Sequence, residues 1–235
     1  MKKYELIIPM AGKGQRFIDA GYTTPKPFLP LKNKETIISR ILNEFCIINK
    51  QHLISRTKCD LSPFLFPYLN NICIGEKPQY GQLHTVMEAI PFLQNDTGVI
   101  IANSDNIVEE AGWVERWLQK IEKEKPDGSI CLMWGEHPKW SYAEIKNNTI
   151  VRTAEKDPIS EHATCGYYYF KNKEILTRAA ETAVKDENNK INGEWYVCPI
   201  YNSIIKQGGV VMPYWLNNFV GLGTPEDYER YLNEV

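Results

Sequence analysis

The strongest structural signal in the chain is the stretch Glu5-Leu6-Ile7-Ile8-Pro9-Met10-Ala11-Gly12-Lys13-Gly14-Gln15-Arg16-Phe17. A continuous apolar run that ends at glycine is typical of a buried strand leading into a turn. The two glycines permit a close approach of the backbone to a ligand, and Lys13 and Arg16 add positive charge beside them. The stretch therefore predicts a strand followed by a phosphate-binding loop. The residues of this loop are Met10, Ala11, Gly12, Lys13 and Gly14.

The loop departs from the two common phosphate-binding motifs. No Gly-Lys-Ser or Gly-Lys-Thr follows it, so it is not a Walker A loop. Phe17 stands where the dinucleotide-binding motif Gly-x-Gly-x-x-Gly has its third glycine. An ordinary turn between a strand and a helix therefore stays open as the alternative interpretation.

Strand-like and helix-like patterns alternate beyond this loop. Apolar residues recur at helical spacing over 36–48 and 83–93, and strand-like runs lie at 51–55, 71–74 and 98–102. Alternation of this kind predicts a parallel sheet with right-handed crossovers. We therefore expect an α/β protein with a mixed, mainly parallel sheet flanked by helices.

The pattern changes to paired strands after a helix predicted at 113–123. The turn at 146–149 joins two of these strands, and Thr224 and Pro225 are typical of a helix start. We expect a single domain over 1–235, with a nucleotide-binding half at about 1–110 and a smaller, strand-rich acceptor-binding half at about 111–235. The segment 57–70 is predicted to be irregular. The remaining predicted elements are strands at 129–134, 142–145, 150–154, 164–170 and 209–214, and helices at 173–185 and 194–207.

Composition excludes several classes of protein. The 235 residues are 43% apolar and 24% charged with a formal net charge of −2, values of an ordinary globular chain. No apolar run approaches the ~20 residues that span a bilayer, and no signal peptide is recognisable, so we expect a cytoplasmic protein without a membrane partner. The absence of a basic stripe predicts no nucleic-acid partner. The six scattered cysteines predict no zinc site.

A second motif follows the glycine loop. Lys26 stands between Pro25 and Pro27, which restrict the backbone on both sides of the ammonium-bearing residue. With this motif the chain resembles the sugar-phosphate nucleotidylyltransferases, which open on a glycine-rich loop with an arginine and then Pro-Lys-Pro. The resemblance implies a Rossmann-like fold, that of the nucleotide-diphospho-sugar transferases.

The resemblance continues through nearly the whole chain. It is similar to a short, single-domain branch associated with bacterial capsule and surface-polysaccharide biosynthesis, and is related to the glucose-1-phosphate nucleotidylyltransferases and to compact cytidylyltransferases. The segments that carry it are Gly81–Thr85, Asn103–Asp105, Ala154–Pro158, Gly166–Phe170 and Gly223–Pro225.

The resemblance also implies the roles of individual residues. The glycine loop and Arg16 hold the β- and γ-phosphates of a nucleoside triphosphate, Lys26 approaches the α-phosphate, and Lys156 holds the phosphate of the acceptor. Asp105 binds Mg²⁺ at the end of a central strand. Further nucleotide contacts are implied for Gln82, Asn103 and Ser104. Further acceptor contacts are implied for Glu155, Gly166, Asn192 and Glu194.

One position departs from the family pattern. Better-known members carry an aspartate, as the second magnesium ligand, where this chain has Gly221. Glu194 is the candidate for the missing carboxylate. The alternative is that Asn192 caps a helix with Glu194 in its first turn.

Aromatic residues are frequent in the second half of the chain. Such residues line pockets in some proteins and fill cores in more of them, so both interpretations stay open. They are Trp134, Trp140, Tyr142, Tyr167, Tyr168, Tyr169, Trp195 and Tyr196.

The expected reaction joins a nucleoside triphosphate to a small phosphorylated metabolite and releases pyrophosphate. Compact length favours CTP slightly, and the acceptor is either a sugar 1-phosphate or a non-sugar phosphate. A homodimer is possible in this family. The alternatives are a glycosyltransferase, which normally has an Asp-x-Asp motif where this chain has Asn103–Asp105, and an inactive nucleotide-sensing module, which Gly221 permits.

Overall fold

The computed structural model describes residues 3–57, 68–77 and 79–234. The irregular segment predicted at 57–70 therefore lies mostly outside the described residues. The strands are β1 (Tyr4–Met10), β2 (Gln51–Ser55), β3 (Leu69–Cys73), β4 (Gly98–Ala102), β5 (Asn106–Val108), β6 (Gly128–Trp134), β7 (Ser141–Lys146), β8 (Thr149–Glu155), β9 (His162–Phe170), β10 (Val211–Trp215) and β11 (Phe219–Gly221). The α-helices are α1 (Gln15–Asp19), α2 (Ile37–Glu44), α3 (Gln82–Met87), α4 (Trp113–Glu124), α5 (Lys173–Val184), α6 (Tyr201–Lys206) and α7 (Pro225–Asn233).

Strands from both predicted halves form one mixed sheet. Its order is β10-β6-β9-β4-β1-β2-β3, with the β7–β8 hairpin attached to β9. Strands β1 to β4 pair in parallel, as do β6 and β10, whereas β9 runs antiparallel to both β4 and β6. Strands β5 and β11 pair with each other outside this sheet. The predicted fold class is confirmed.

The core lies in two layers, one on each face of the sheet. Successive side chains of a strand point to opposite faces, so Leu6 and Ile8 of β1 join one layer and Ile7 joins the other. All three side chains are fully buried. Because both faces of the central strands are covered, these strands are continuously apolar rather than alternating.

Helix starts follow the capping rules that the sequence suggests. The hydroxyl of Thr36 accepts from the backbone N–H of Ser39 at the start of α2, and that of Thr224 accepts from Asp227 at the start of α7. Each bond satisfies an N–H that has no partner within the helix. In the described ranges no helix is long and apolar enough to cross a membrane.

The helix predicted at 194–207 is wrong in its first part. The chain forms a 3₁₀ turn at Cys198–Ile200 and enters α6 only at Tyr201. Before it, Ile191 and Glu194 pair across a tight turn in which Asn192 has a φ of 53° and Gly193 a φ of 79°. Two consecutive positive φ values are typical of a hairpin turn, for which Asn-Gly is the preferred sequence. Asn192 is therefore not a helix cap.

Candidate active site

The candidate site begins at one edge of the sheet. Strands β1 and β4 are parallel neighbours, with Ile7 beside Ile101, so both chain segments leave the sheet at the same edge. The glycine loop follows Met10, and Asn103–Asp105 follows Ala102. Ligands of open α/β sheets bind outside the carboxyl ends of the strands, as at this edge.

The glycine loop is anchored from both sides while its tip stays exposed. Arg56 donates from Nε to the carbonyl oxygen of Ala11 at 2.8 Å. On the other side, Phe17 is 2% exposed and packs edge to face against Tyr22 and Tyr228, with distances between ring centres of 5.3 and 6.3 Å. Phe17 therefore fills the core where the dinucleotide motif has glycine. Gly12, Lys13 and Arg16 are exposed. Sequence reasoning missed Arg56, which belongs to no motif.

Two of the predicted site residues meet directly. Lys26 Nζ lies 2.7 Å from Oδ2 of Asp105, although the two residues are 79 positions apart. The side chains are 18% and 24% exposed, so the pair is partly screened from water yet open to a ligand. The 3₁₀ turn Lys26–Phe28, with Pro27 inside it, places the ammonium at this edge. The contact brings a cation and a carboxylate to the end of β4.

A second contact connects the predicted base-contacting turn with the same strand end. Gln82 donates from Nε2 to Oδ1 of Asn103, and the N–H of Asn103 donates to the carbonyl oxygen of Gly166 at 3.0 Å. Gly166 has a φ of 77°, and a Cβ there would lie 2.4 Å from Nδ2 of Asn103. Glycine at 166 is therefore required both by backbone conformation and by space.

The turn at Gly81 is packed against the segment Glu194–Tyr196. A Cβ on Gly81 would lie 2.4 Å from the carbonyl oxygen of Trp195 and 2.8 Å from Cβ of Glu194. The N–H of Trp195 donates to Tyr80 at 2.8 Å, and Leu83 donates to the Trp195 carbonyl at 3.0 Å. The structure thus places Glu194 beside the turn that carries Gln82.

Lys156 lies at the centre of a polar cluster next to that segment. Its Nζ donates to the hydroxyl of Tyr196 at 2.5 Å, and that hydroxyl donates to Oε2 of Glu194 at 2.7 Å. Burial, together with the hydrogen bond to Glu194 and its charge, raises the pKa of Tyr196, and the positive charge of Arg16 opposes this rise. The charge of Arg16 is therefore felt at this cluster. Lys156 has a φ of 55°, which is a strained conformation for a residue other than glycine and recurs at functional sites.

Glu155 supports the cluster from inside the protein. It is 8% exposed and accepts a hydrogen bond from the hydroxyl of Ser141 across the β7–β8 hairpin. Burial raises the pKa of its carboxyl, and the charge of Glu194 adds to this rise, while Ser141 and Lys156 lower it. The carboxyl of Glu155 is therefore a buried polar anchor beneath Lys156.

The predicted Mg²⁺ has a chemically suitable position at Asp105. Carboxylate oxygen is a ligand that Mg²⁺ prefers, and this ion commonly uses one or two carboxylates together with water and substrate phosphates. Among the described residues, no group of three or more His, Cys, Asp or Glu side chains is arranged to hold a metal alone. A bound Mg²⁺ would accordingly depend on the phosphates of the nucleotide.

The predicted residues thus fall into two groups. The first contains Lys26, Asp105, Gln82, Asn103 and Gly166, at the end of β4 and beside the middle of β9. The second contains Lys156, Glu155 and Glu194, and the contact of Gly81 with Glu194 connects the groups. Ser104 is half-buried next to Asp105, and Asn192 is exposed in its hairpin turn.

The aromatic residues divide between core and site. Tyr142, Tyr167, Tyr168 and Tyr169 are at most 2% exposed and belong to the core. Trp140 and Tyr196 are half-buried beside Lys156, so they are available as pocket walls. Trp134 is 68% exposed and stacks on Trp215 at 5.1 Å.

Comparison with known proteins identifies relatives of this chain. In the Bifunctional protein GlmU of Aliarcobacter butzleri, 244 aligned residues are 24% identical and cover 95% of this chain but 51% of that protein. This chain spans about half, or less, of the length of the curated relatives that it matches.

Solved structures share the fold. The nucleoside-diphosphate-sugar pyrophosphorylase from Vibrio cholerae RC9 has a TM-score of 0.80 at 24% identity, covering 97% of this chain and all of that one. A UDP-glucose pyrophosphorylase complexed with UDP-glucose has a TM-score of 0.78 at 14% identity, and the match covers 99% of this chain and 98% of that one.

A family model described as nucleotidyl transferase matches residues 6–228, which include every motif discussed above. This match extends over far more than half of the chain, and the glycine loop, the Lys26–Asp105 pair and the Lys156 cluster all lie within it. The chain therefore belongs to the nucleotidyl transferase family, which confirms both the predicted family and the predicted enzyme class.

Proposed function

We propose that the protein is a Mg²⁺-dependent nucleotidylyltransferase that joins a nucleoside triphosphate to a small phosphorylated acceptor. A phosphate oxygen of the acceptor attacks the α-phosphorus, and the bond from that phosphorus to the leaving pyrophosphate breaks. Both reactants are anions, so the protein must offset their repulsion and hold them in line. No covalent nucleophile is needed for this chemistry.

The observation that carries the proposal is the Lys26–Asp105 contact of 2.7 Å at the carboxyl end of β4. A fixed cation at this position stabilises negative charge that develops on the α-phosphate. In this proposal Asp105 holds Mg²⁺, which when bound neutralises phosphate charge. The glycine loop and Arg16 receive the β- and γ-phosphates, and Gln82, Asn103 and Ser104 complete the nucleotide site.

The Lys156 cluster is the proposed acceptor site. Lys156 binds the acceptor phosphate, and we assign Glu155, Asn192 and Glu194 to the same site. Gly166, also expected to contact the acceptor, packs instead against Asn103 of the nucleotide site. Glu194 accepts a hydrogen bond from the hydroxyl of Tyr196 and lies beside Gly81, and both contacts support a role at the border of the two proposed sites. We assign Glu194 to the acceptor and retain it as the candidate second carboxylate for Mg²⁺.

The finer parts of the proposal follow from the family resemblance and from length. We propose CTP as the preferred nucleotide by a small margin and a building block of capsule or surface polysaccharide as the product. One domain with a nucleotide-binding half and an acceptor-binding half, a cytoplasmic location and a homodimer complete the proposal. The solved relative with UDP-glucose bound supports a sugar-nucleotide product equally well.

A pyrophosphate assay tests the proposal. Purified protein is incubated with Mg²⁺, each of CTP, UTP, dTTP, GTP and ATP, and a panel of sugar 1-phosphates and non-sugar phosphates that includes phosphocholine. We expect release of pyrophosphate and a nucleoside-diphosphate product identified by mass. Lys156→Ala should raise the KM of the acceptor more than that of the nucleotide. Silence of the folded protein across the whole panel would contradict the enzyme, whereas transfer of sugar from a nucleotide sugar without pyrophosphate would favour the glycosyltransferase.

A further inference from the structure

Gly221 is required by space and not by backbone conformation. It lies in β11 opposite Asn106 of β5, and its φ is outside the positive region that favours glycine. A Cβ built on it, however, would lie 2.6 Å from Cη2 of Trp140. The indole ring of Trp140 therefore occupies the volume that any side chain at position 221 would need.

Trp140 is held in this position from several sides. Its carbonyl oxygen accepts from the backbone N–H of Lys156 at 3.0 Å, and its ring meets Phe219 edge to face at 5.7 Å. Lys139 Nζ lies 4.7 Å from the centre of the indole ring and is itself bonded to both carboxylate oxygens of Asp227 at 2.7 and 2.8 Å. Asp227 is 6% exposed, so this ion pair fixes the loop that carries Trp140.

Trp140 contacts both segments that carry the charged ends of the proposed site: its backbone bonds Lys156, and its ring packs on Gly221, one residue before Leu222. Lys156 follows the strand that pairs with the start of β7, directly beside Trp140. On the other side, the N–H of Leu222 donates to the carbonyl oxygen of Asp105 at 2.8 Å, and Gly223 approaches its carboxylate. Trp140 is half-buried, so part of the residue stays accessible beside these two segments.

We infer that Trp140 forms a wall of the acceptor subsite and contacts positively polarised C–H groups of the acceptor; this inference rests on the proposed function. The electron-rich face of an indole ring attracts such groups. They are presented by one face of a sugar ring and by the methyl groups of a quaternary ammonium ion. Gly221 acts as a positioning residue, because it leaves the indole ring the space to reach this wall.

Kinetics with two probe acceptors, glucose 1-phosphate and phosphocholine, test the contact and separate its two sources. Trp140→Ala should raise the KM of the accepted probe about tenfold while the KM of the nucleotide changes less than about twofold. Trp140→Phe should retain most of the affinity. Trp134→Ala is the matched control, since this exposed indole lies outside the site, and it should leave both KM values unchanged. Calorimetric titration of each probe into the nucleotide-bound protein should show the same loss for Trp140→Ala.

A double-mutant cycle tests the role of Gly221. Gly221→Ala should raise the acceptor KM in the wild-type background and have no further effect in Trp140→Ala, because the collision is then absent. Additive effects of the two substitutions on the acceptor KM would overturn the inference, and so would an unchanged acceptor KM in folded Trp140→Ala. In either case release of pyrophosphate would still support the proposed function. Failure of both probes to bind the wild-type protein would also overturn it. Absence of pyrophosphate with every acceptor would instead refute the proposed function.

Discussion

Replacement of Gly166 by alanine should damage both stability and the nucleotide site. Gly166 has a φ of 77°, and Gly208 has a φ of 80° with no atom within 4 Å of its would-be Cβ. Gly208→Ala therefore measures the conformational cost alone, which is about 1–2 kcal/mol for a residue with a Cβ. At 166 the Cβ would also lie 2.4 Å from Nδ2 of Asn103 and 2.5 Å from Nδ2 of Asn106.

The additional cost at 166 follows from the bonds that must move. Asn106 donates to the carbonyl oxygen of Cys165 at 2.9 Å inside the protein, and Asn103 accepts from Gln82. Loss of two such bonds costs about 2–3 kcal/mol, which gives about 3–5 kcal/mol in total for Gly166→Ala. The check is guanidinium unfolding at constant m-value, together with the KM of the nucleotide. A loss no greater than that of Gly208→Ala, or an unchanged nucleotide KM, would refute the reasoning.

Three further predictions concern the Tyr196 hydroxyl and two buried carboxyls. Tyr196→Phe removes the hydroxyl that bonds Lys156 at 2.5 Å, so the acceptor KM should rise while the nucleotide KM stays constant; equal changes in both would contradict the assignment. Burial raises the pKa of Glu44 from 4.5 to about 7, so the free energy of unfolding should fall as pH rises through this window, by on the order of 3 kcal/mol. Glu44→Gln should reduce the difference between the free energies of unfolding measured at pH 5 and pH 8. The same difference in the wild-type protein and in Glu44→Gln would contradict the prediction. Burial disfavours the charge of Glu5, but hydrogen bonds led by that of His52 outweigh it and lower the pKa from 4.5 to about 2. The contribution of Glu5 to the free energy of unfolding should therefore be present above pH 4.5 and be lost as pH falls toward 2. Glu5→Gln should remove this loss when unfolding is measured across that acid range. The same fall in the free energy of unfolding in Glu5→Gln as in the wild-type protein would contradict the prediction.

The fold was predictable because its central strands are buried on both faces and its helices carry clear caps. Strands β1, β2 and β4 lie within a residue of the predicted bounds, and Thr36 and Thr224 begin the helices expected of them. The pairing of β5 with β11 was not predicted, since three-residue strands leave no periodicity to detect. The helix predicted from Glu194 failed because the hairpin turn before it was not recognised.

The motifs named residues that the fold brings together, whereas residues outside the motifs were missed. Lys26 and Asp105 meet as expected of one site. Arg56, which fixes the glycine loop through Ala11, gives no signal in the sequence because an isolated arginine has many possible roles. The Trp140 ring fills the space that a side chain at position 221 would need. This close approach joins β11 to the loop before β7, and no local sequence pattern indicates it.

The most direct test of the account measures kcat for pyrophosphate release in Asp105→Asn and Lys26→Met at saturating substrates. Each substitution removes one partner of the contact at the end of β4, and the account predicts a loss of at least about 100-fold with the free energy of unfolding nearly unchanged. Asp96→Asn, at an exposed position on the opposite edge before β4, is the matched control and should retain full activity. Near-normal kcat in folded Asp105→Asn and Lys26→Met would contradict the claim that nucleotidyl transfer takes place at this edge of the sheet.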